Sequence, residues 1–327
     1  MQDIADKLHI SKSTVSLVLS GKSAGRVSEP VRESVLRTAR EMDYHLNELA
    51  RSLRVGSSNL ISVIVTDISN EIFGQMTFHI QEAAKKAGYL VLTINSNESD
   101  EEFEQMARIL ISKKVDGIIA VPTPGGIGAL KMILDQKVPL VTVDRYYEGL
   151  EVDYVGVDNY ESSKQAMKEL LADGFRKVPM VRLDLDIPPL NERERGYIDA
   201  MREAGLEGNI DLHRISFGEG HQADLAAIKD TLLGADAVFF TSHRVFTDAM
   251  KLVSRIGGIP AGQCVLCFDD VSPYLNGNSD IRYVEQPIAE VARKSFELLL
   301  GKIHGETGVG HYVFPARCVS RDGNSLL

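Results

Sequence analysis

Cysteine is scarce. Three residues, Cys264, Cys267 and Cys318, are scattered through 327. That is too few for a disulfide scaffold and points to a reducing compartment. Long apolar runs are missing too, since none reaches the ~18 residues needed to cross a bilayer. The start, Met1 to Lys7, places charges where a secretory leader needs an apolar stretch. Low-complexity segments and short-period repeats are absent. No nucleophile stands beside a base, and no His/Asp cluster has metal-ligand spacing. Pro124-Gly-Gly-Ile-Gly128 lies between a strand-like and a helical pattern, but its spacing is not that of a dinucleotide or Walker loop, so it reads as a plain turn. Cys264-Val-Leu-Cys267 has redox or zinc spacing, yet it falls inside a strand pattern with no second pair and reads as buried thiols. These absences speak against an enzyme, a metal, a cofactor or a membrane role, and for a cytoplasmic protein.

What is present is ordinary in bulk: 44% hydrophobic and 25% charged residues, as in a globular protein. The length suggests about two domains at ~150 residues each. The net charge of −10 argues against a nucleic-acid partner when read whole. It is unevenly spread. Residues 1–59 carry nine Lys and Arg against seven Asp and Glu, a balance of +2; the remaining residues carry 27 against 39, a balance of −12.

The basic front reads as short helices. Gln2 to Leu8 places Ile4, Ala5 and Leu8 on one face. Ser11 can cap a second helix, Lys12 to Ser20, ended by Gly21. Val15, Val18 and Leu19 form its inward stripe. Ser28 can cap a third helix, Glu29 to Asp43, with Pro30 tolerated in the first turn. Asn47 can cap a short fourth, Glu48 to Arg54, and Gly56 to Asn59 is a linker. Two short helices joined at His9-Ile10 have helix-turn-helix geometry, in which the second helix enters the major groove. Lys12, Ser13, Ser16 and Leu17 then face outward.

From Leu60 the texture changes to short apolar runs alternating with helical patterns. Strands are expected at Leu60–Val65, Tyr89–Ile94, Gly117–Val121, Pro139–Asp144, Tyr154–Asp158, Lys177–Leu183, Leu212–Phe217, Ala237–Ser242, Cys264–Asp269 and Ile281–Glu285, with a last one at Tyr312–Val319. Helices follow most of them, as at Phe73–Ala87, Glu102–Lys113, Glu161–Ala172 and Glu192–Ala204. Continuous apolar strands between helices mean parallel sheets covered on both faces. So many strands exceed one comfortable sheet, so two doubly wound lobes are expected, with a ligand crevice at the strand C-terminal ends. The acidic run Glu98–Glu104 reads as a solvated helix start.

The run Asp3 to Gly21 resembles the head of LacI/GalR-type repressors. So do Arg26-Val-Ser-Glu29, Leu49-Ala-Arg-Ser-Leu-Arg54, Val65-Thr-Asp-Ile-Ser-Asn70, Val115-Asp-Gly-Ile-Ile119, Val143-Asp-Arg145, Arg193-Glu-Arg-Gly-Tyr197, Phe268-Asp-Asp270 and Gln286-Pro287. They span nearly the whole chain in the family's order. The resemblance implies an N-terminal all-α helix-turn-helix head (1–46), a hinge helix and linker (47–59), and an α/β core of two doubly wound parallel-sheet lobes like a periplasmic sugar-binding protein (60–327). The first lobe would take 60–159 and 288–318, the second 160–287 and 319–327. It implies a homodimeric repressor on double-stranded, pseudopalindromic operator DNA, governed by a small sugar or sugar-phosphate effector.

Carried over by position, Lys12, Ser13, Ser16 and Leu17 would face bases, with Ser11 and Thr14 nearer the backbone. Leu17 departs from members that carry Arg there; leucine can pack on a thymine methyl but cannot fork onto guanine. His9 departs from the usual Gly or Asn of the turn, although His tolerates the left-handed conformation. In the hinge, Asn47 would start the helix, Leu53 would wedge a minor-groove base step with Ala50 one turn back, and Arg51 and Arg54 would reach phosphates. In the crevice, Asp144, Arg193 and Asp269 would hydrogen-bond hydroxyls. Phe73 would pack on an apolar ligand face beside Ile72 and Asn70, and Phe217 would close the opposite side.

Gly21 to Val27, Val238 to Ser242 and Phe268 to Tyr274 resemble repressors of sucrose and fructose utilisation. Ser242-His243 stands where many relatives have Asn-Asp. That removes a carboxylate and leaves Arg145, His243 and Arg244 as sources of positive charge, favouring fructose, sucrose or a phosphorylated hexose. Two other classes fit less well. A transported-sugar binding protein has no use for the head, and a sugar-processing α/β enzyme without a DNA role needs a phosphate loop or catalytic constellation that is not visible.

Overall fold

A computed structural model describes residues 1–327 apart from Lys22, 45–56, Glu219, 256–257, Ser272, 274–279 and 321–327. Two compact units result, residues 1–58 and 59–327.

The first unit holds α1 (Gln2–Leu8), α2 (Lys12–Leu19) and α3 (Glu29–Glu41). Ile4, Ala5, Val15, Val18, Val35 and Ala39 form its core, so the i, i+3 stripe of α2 does face inward. His9 closes α1 in the left-handed conformation, φ 52 and ψ 41. Ser11 caps α2 by accepting the Thr14 N–H at 3.1 Å. Ser28 occupies the corresponding place before α3, but its side chain makes no cap hydrogen bond. The start of α3 rests instead on Pro30, whose fixed φ suits the first turn.

The second unit is built from two six-stranded sheets. The chain runs β1 (Leu60–Val65), α4 (Glu71–Lys86), β2 (Leu90–Asn95), α5 (Asp100–Lys113), β3 (Gly117–Ala120), α6 (Ile127–Asp135), β4 (Leu140–Val143) and β5 (Asp153–Val157). It then crosses to α7 (Asn159–Ala172), β6 (Met180–Leu183), α8 (Pro188–Glu203), β7 (Leu212–Ile215), α9 (His221–Ala227), α10 (Lys229–Leu233), β8 (Ala237–Phe240), α11 (His243–Ser254), β9 (Cys264–Phe268) and β10 (Asp280–Glu285). After Gln286-Pro287 it returns through α12 (Ile288–Ile303) and β11 (His311–Phe314), and finishes in β12 (Arg317–Ser320). The orders are β11-β5-β4-β3-β1-β2 and β12-β10-β9-β8-β6-β7. Every pairing is parallel except β10 with β12.

Strands such as Leu60-Ile-Ser-Val-Ile-Val65 are buried on both faces, which is why they read as unbroken apolar runs. The run expected as one strand, Tyr312–Val319, is two. Pro315 lacks the N–H a ladder needs, and the chain changes sheets there: Phe314 pairs with Val157 in the first, Cys318 with Val284 in the second. The second lobe thus resumes at Arg317, ahead of the expected 318/319 boundary. α8 starts at Pro188, not 192, because proline suits a first helical turn. Arg193 therefore lies in the second turn rather than at the helix start. All three cysteines are free and buried. Among the described residues no helix is long and apolar enough to cross a membrane.

Candidate functional site

In the head, Ser11, Lys12 and Ser13 are exposed at the start of α2, and Thr14, Ser16 and Leu17 are half-buried. The Ser11 hydroxyl also lies 2.7 Å from Ser13 Oγ and 2.8 Å from Thr14 Oγ1, so the cap orders the first turn. A polar helix start projecting over an apolar core suits contact with phosphates and base edges. The expected hinge residues Asn47, Ala50, Arg51, Leu53 and Arg54 lie outside the described residues.

In the second unit, the C-terminal ends of the parallel strands of both sheets converge on one cavity of about 80 Å³. Asn70, Ile72, Phe73, Asp144, Arg145, Arg193, Phe217 and Asp269 all line it. His243 lines an adjoining cavity of about 190 Å³, which shares Ile72 and Asp269. Another cavity, of about 400 Å³, lies beyond Arg145 and Ile187, between the 122–124 and 145–148 loops and the start of α8.

Each side chain has a local reason for its place. Asp144 follows β4 with φ 65, and Asp269 follows β9 with φ 104. Left-handed backbone at a non-glycine residue is strained, and such strain gathers at functional sites. Asp269 accepts the His243 N–H on Oδ2 at 3.0 Å and Gln286 Nε2 on Oδ1 at 2.6 Å. Arg193 donates from Nε to Asn159 Oδ1 at 2.8 Å and from Nη1 to the Thr241 carbonyl at 2.6 Å. Its guanidinium lies 3.6 Å from the Phe268 ring centroid. Asn70 caps α4, its Oδ1 accepting the Ile72 N–H at 3.2 Å, and that cap sets Ile72 and Phe73 against the cavity.

Burial pushes the Asp144 carboxyl above its ordinary value, and Glu98 adds to the rise against the pull of Arg145 and Arg193. Burial also raises Asp269, against Arg193 and the His243 N–H. The cavity thus brings two carboxylates and a guanidinium together, groups able to accept from and donate to hydroxyls.

Two expectations change. Glu98 is no solvated helix residue: its side chain is 7% exposed and pairs with Arg145 at 2.6 Å. Arg145 consequently reaches the cavity with its fork occupied. His243 contributes its backbone N–H to Asp269, while its ring Nε2 lies 3.8 Å from Glu71 Oε2. Among the cavity-lining residues not singled out as site candidates are Asp67 and Gln286. Both sit inside family-like motifs, Val65 to Asn70 and Gln286-Pro287, which was the signal available.

Residues 1–47 match the family described as bacterial regulatory proteins, lacI family. Residues 61–250, well over half the chain, match the periplasmic binding protein domain. The chain is 27% identical over 327 residues to the ribose operon repressor of Halalkalibacterium halodurans, covering 98% of this chain and 96% of that one. It is 25% identical over 333 residues to the transcriptional repressor CytR of Escherichia coli K12, covering 100% and 96%. Among solved structures, the transcriptional regulator CelR in complex with cellobiose superposes with a TM-score of 0.70 at 22% identity, covering 98% of both chains. With a lacI-type head, a periplasmic-binding-protein core and repressors matching it along their length, the chain belongs to the LacI family of bacterial DNA-binding transcriptional regulators.

Proposed function

We propose that this regulator is a cytoplasmic, homodimeric repressor of carbohydrate-utilisation genes that binds a pseudopalindromic operator and is released by a sugar or sugar-phosphate effector. The observation that carries the reading is the convergence of Asp144, Arg193 and Asp269 from three elements onto one cavity beside Phe73. Fructose and sucrose come first as effectors, on the likeness of Val238 to Ser242 and Phe268 to Tyr274 to regulators of their utilisation. Ser11, Lys12, Ser13, Thr14, Ser16 and Leu17 meet the operator, and on the family likeness of Leu49 to Arg54 so do Asn47, Ala50, Arg51, Leu53 and Arg54, with Leu53 opening a central step. Support for pairing comes from the sheet edge: Leu90 and Leu92 lie on one face of β2, 71% and 43% exposed, and protein two-fold symmetry matches a palindromic site.

Ligand between the lobes would favour one lobe arrangement and so bias the protein toward release of the operator. The test is selection of duplex DNA by the full chain, followed by a screen of sugars and sugar phosphates for release of the selected duplex. Enrichment of a palindrome and its sugar-dependent release are expected. No enriched duplex at low salt would remove the reading.

A further inference from the structure

Among the described residues, four carboxylates and three guanidiniums line the inner cavity: Asp67, Glu98, Asp144 and Asp269 against Arg145, Arg193 and Arg244. What an incoming ligand meets depends on which of them are already engaged. Arg145 makes two parallel bonds to Glu98, 2.7 Å from Nη1 and 2.6 Å from Nη2, and Nη1 also donates to the Pro122 carbonyl at 3.2 Å. Its Nε faces Asp144 Oδ2 at 3.6 Å. Arg244 donates to Asp67 Oδ2 at 2.5 Å and lies 4.6 Å from the Phe217 ring centroid. Arg193 gives Nε and Nη1 to neutral oxygens; burial pushes its guanidinium below its ordinary value, and the charges of Asp269 and Asp144 offset that only in part. Arg145 and Arg244 thus already face carboxylates, and Arg193 is held by neutral partners.

We infer that the crevice takes an uncharged polyhydroxylated effector and rejects the phosphorylated or carboxylated counterpart, with Glu98 setting that choice by occupying the Arg145 fork. This rests on the sugar-effector reading proposed above and narrows it. A phosphate brings a charge of about −1.5 to −2. It would enter a space where carboxylates already outnumber guanidiniums, and a buried charge without its own partner is strongly disfavoured. A hydroxyl needs no counter-charge. It donates to a carboxylate oxygen, each of which has a second acceptor site, and accepts from Arg193. Backbone geometry helps place Glu98, which stands at φ 57, left-handed, one residue ahead of the Ser99 cap of α5. The upward push on Asp144 and Asp269 from burial agrees, because a further anion would oppose their ionisation.

The experiment is calorimetric titration of the full chain with ribose, fructose, sucrose and cellobiose, and with ribose 5-phosphate, fructose 1-phosphate, fructose 6-phosphate and sucrose 6-phosphate. At least one neutral sugar should bind tenfold or more tightly than its phosphorylated form, about 1.4 kcal/mol. In Glu98→Gln the Arg145 fork is released, and that ratio should shrink at least tenfold. Glu98→Asp keeps the charge and should keep the ratio. Tighter binding of a phosphorylated sugar by the unmodified chain overturns the proposal, as does an unchanged ratio in a folded Glu98→Gln protein. Should that variant fail to fold, the doubly neutral Glu98→Gln/Arg145→Gln chain must retain the neutral preference, and a switch to phosphate there overturns it equally. If neither form of any sugar binds while operator binding persists, the sugar-effector reading itself fails, and this inference with it.

Discussion

Asp67 and Arg244 are 177 residues apart in the chain, yet they join the two lobes across the crevice. Asp67 follows β1 and is held in place, its Oδ1 accepting the Ser69 N–H at 3.0 Å and the Ser69 hydroxyl at 2.5 Å. Arg244 stands in the first turn of α11, with Phe217 beneath its guanidinium. The side chains are 19% and 35% exposed, so solvent weakens the pair. An exposed ion pair contributes about 0.2–1 kcal/mol, whereas the Phe217 contact lies within the second lobe and does not change when the lobes part. The pair therefore favours the closed lobes by about 0.5–1 kcal/mol, a factor of about 2–5. Arg244→Ala should therefore weaken binding of a crevice sugar about 2–5-fold, since affinity scales with the population of the competent state. It should also raise the unliganded radius of gyration in solution scattering. Calorimetry on Asp67→Ala, Arg244→Ala and the double variant isolates the pair from any direct ligand contact, and a coupling of about 0.5–1 kcal/mol is expected. Coupling below about 0.3 kcal/mol, the level at which independent sites already add, with affinity within twofold of the unmodified chain, would refute the latch.

Ser11→Ala removes the cap of α2 and should cost the head about 1 kcal/mol; an unchanged melting transition of the head would contradict that. If Leu17 faces a base as proposed, Leu17→Ala should alter base preference at one half-site position in a binding selection, because leucine can pack on a thymine methyl; identical preferences at every position would count against Leu17 as a reader. Asp144→Asn tests burial of charge. The folded carboxyl titrates above its ordinary value of 3.8, so ionisation weakens the fold progressively as pH rises through and beyond that value. The asparagine variant, which tolerates the left-handed backbone, should melt higher than the unmodified chain at pH 7, with the gap closing toward pH 4. Its sugar affinity should fall, and a gap that grows at low pH would reverse the sign of the argument.

The strands were legible because parallel strands covered on both faces must be apolar throughout, as Leu60–Val65 is. The stripe of Ile4, Val15 and Val18 was legible from helical spacing. Pattern failed where a single residue interrupts it. Pro315 splits an apparent strand into edge strands of different sheets, and Pro188 starts α8 a turn earlier than its amphipathic stripe suggests. The crevice was legible only through motif order, since an aspartate after a strand is commonplace by itself. Glu98 stayed hidden because a buried acid and a solvated one look alike inside an acidic run. Its partner, Arg145, lies 47 residues away, where no local spacing can signal the pair.

Binding of the full chain to its selected operator duplex, followed by fluorescence anisotropy across salt and with added neutral sugar, tests the central claim most directly. Between about 50 and 200 mM salt the affinity should fall by orders of magnitude, as counterions compete for phosphates. At fixed salt the cognate sugar should release the duplex from the unmodified chain and fail to do so when Arg193 and Asp269 are replaced by alanine. A sugar that binds the crevice while operator affinity stays unchanged would contradict the account.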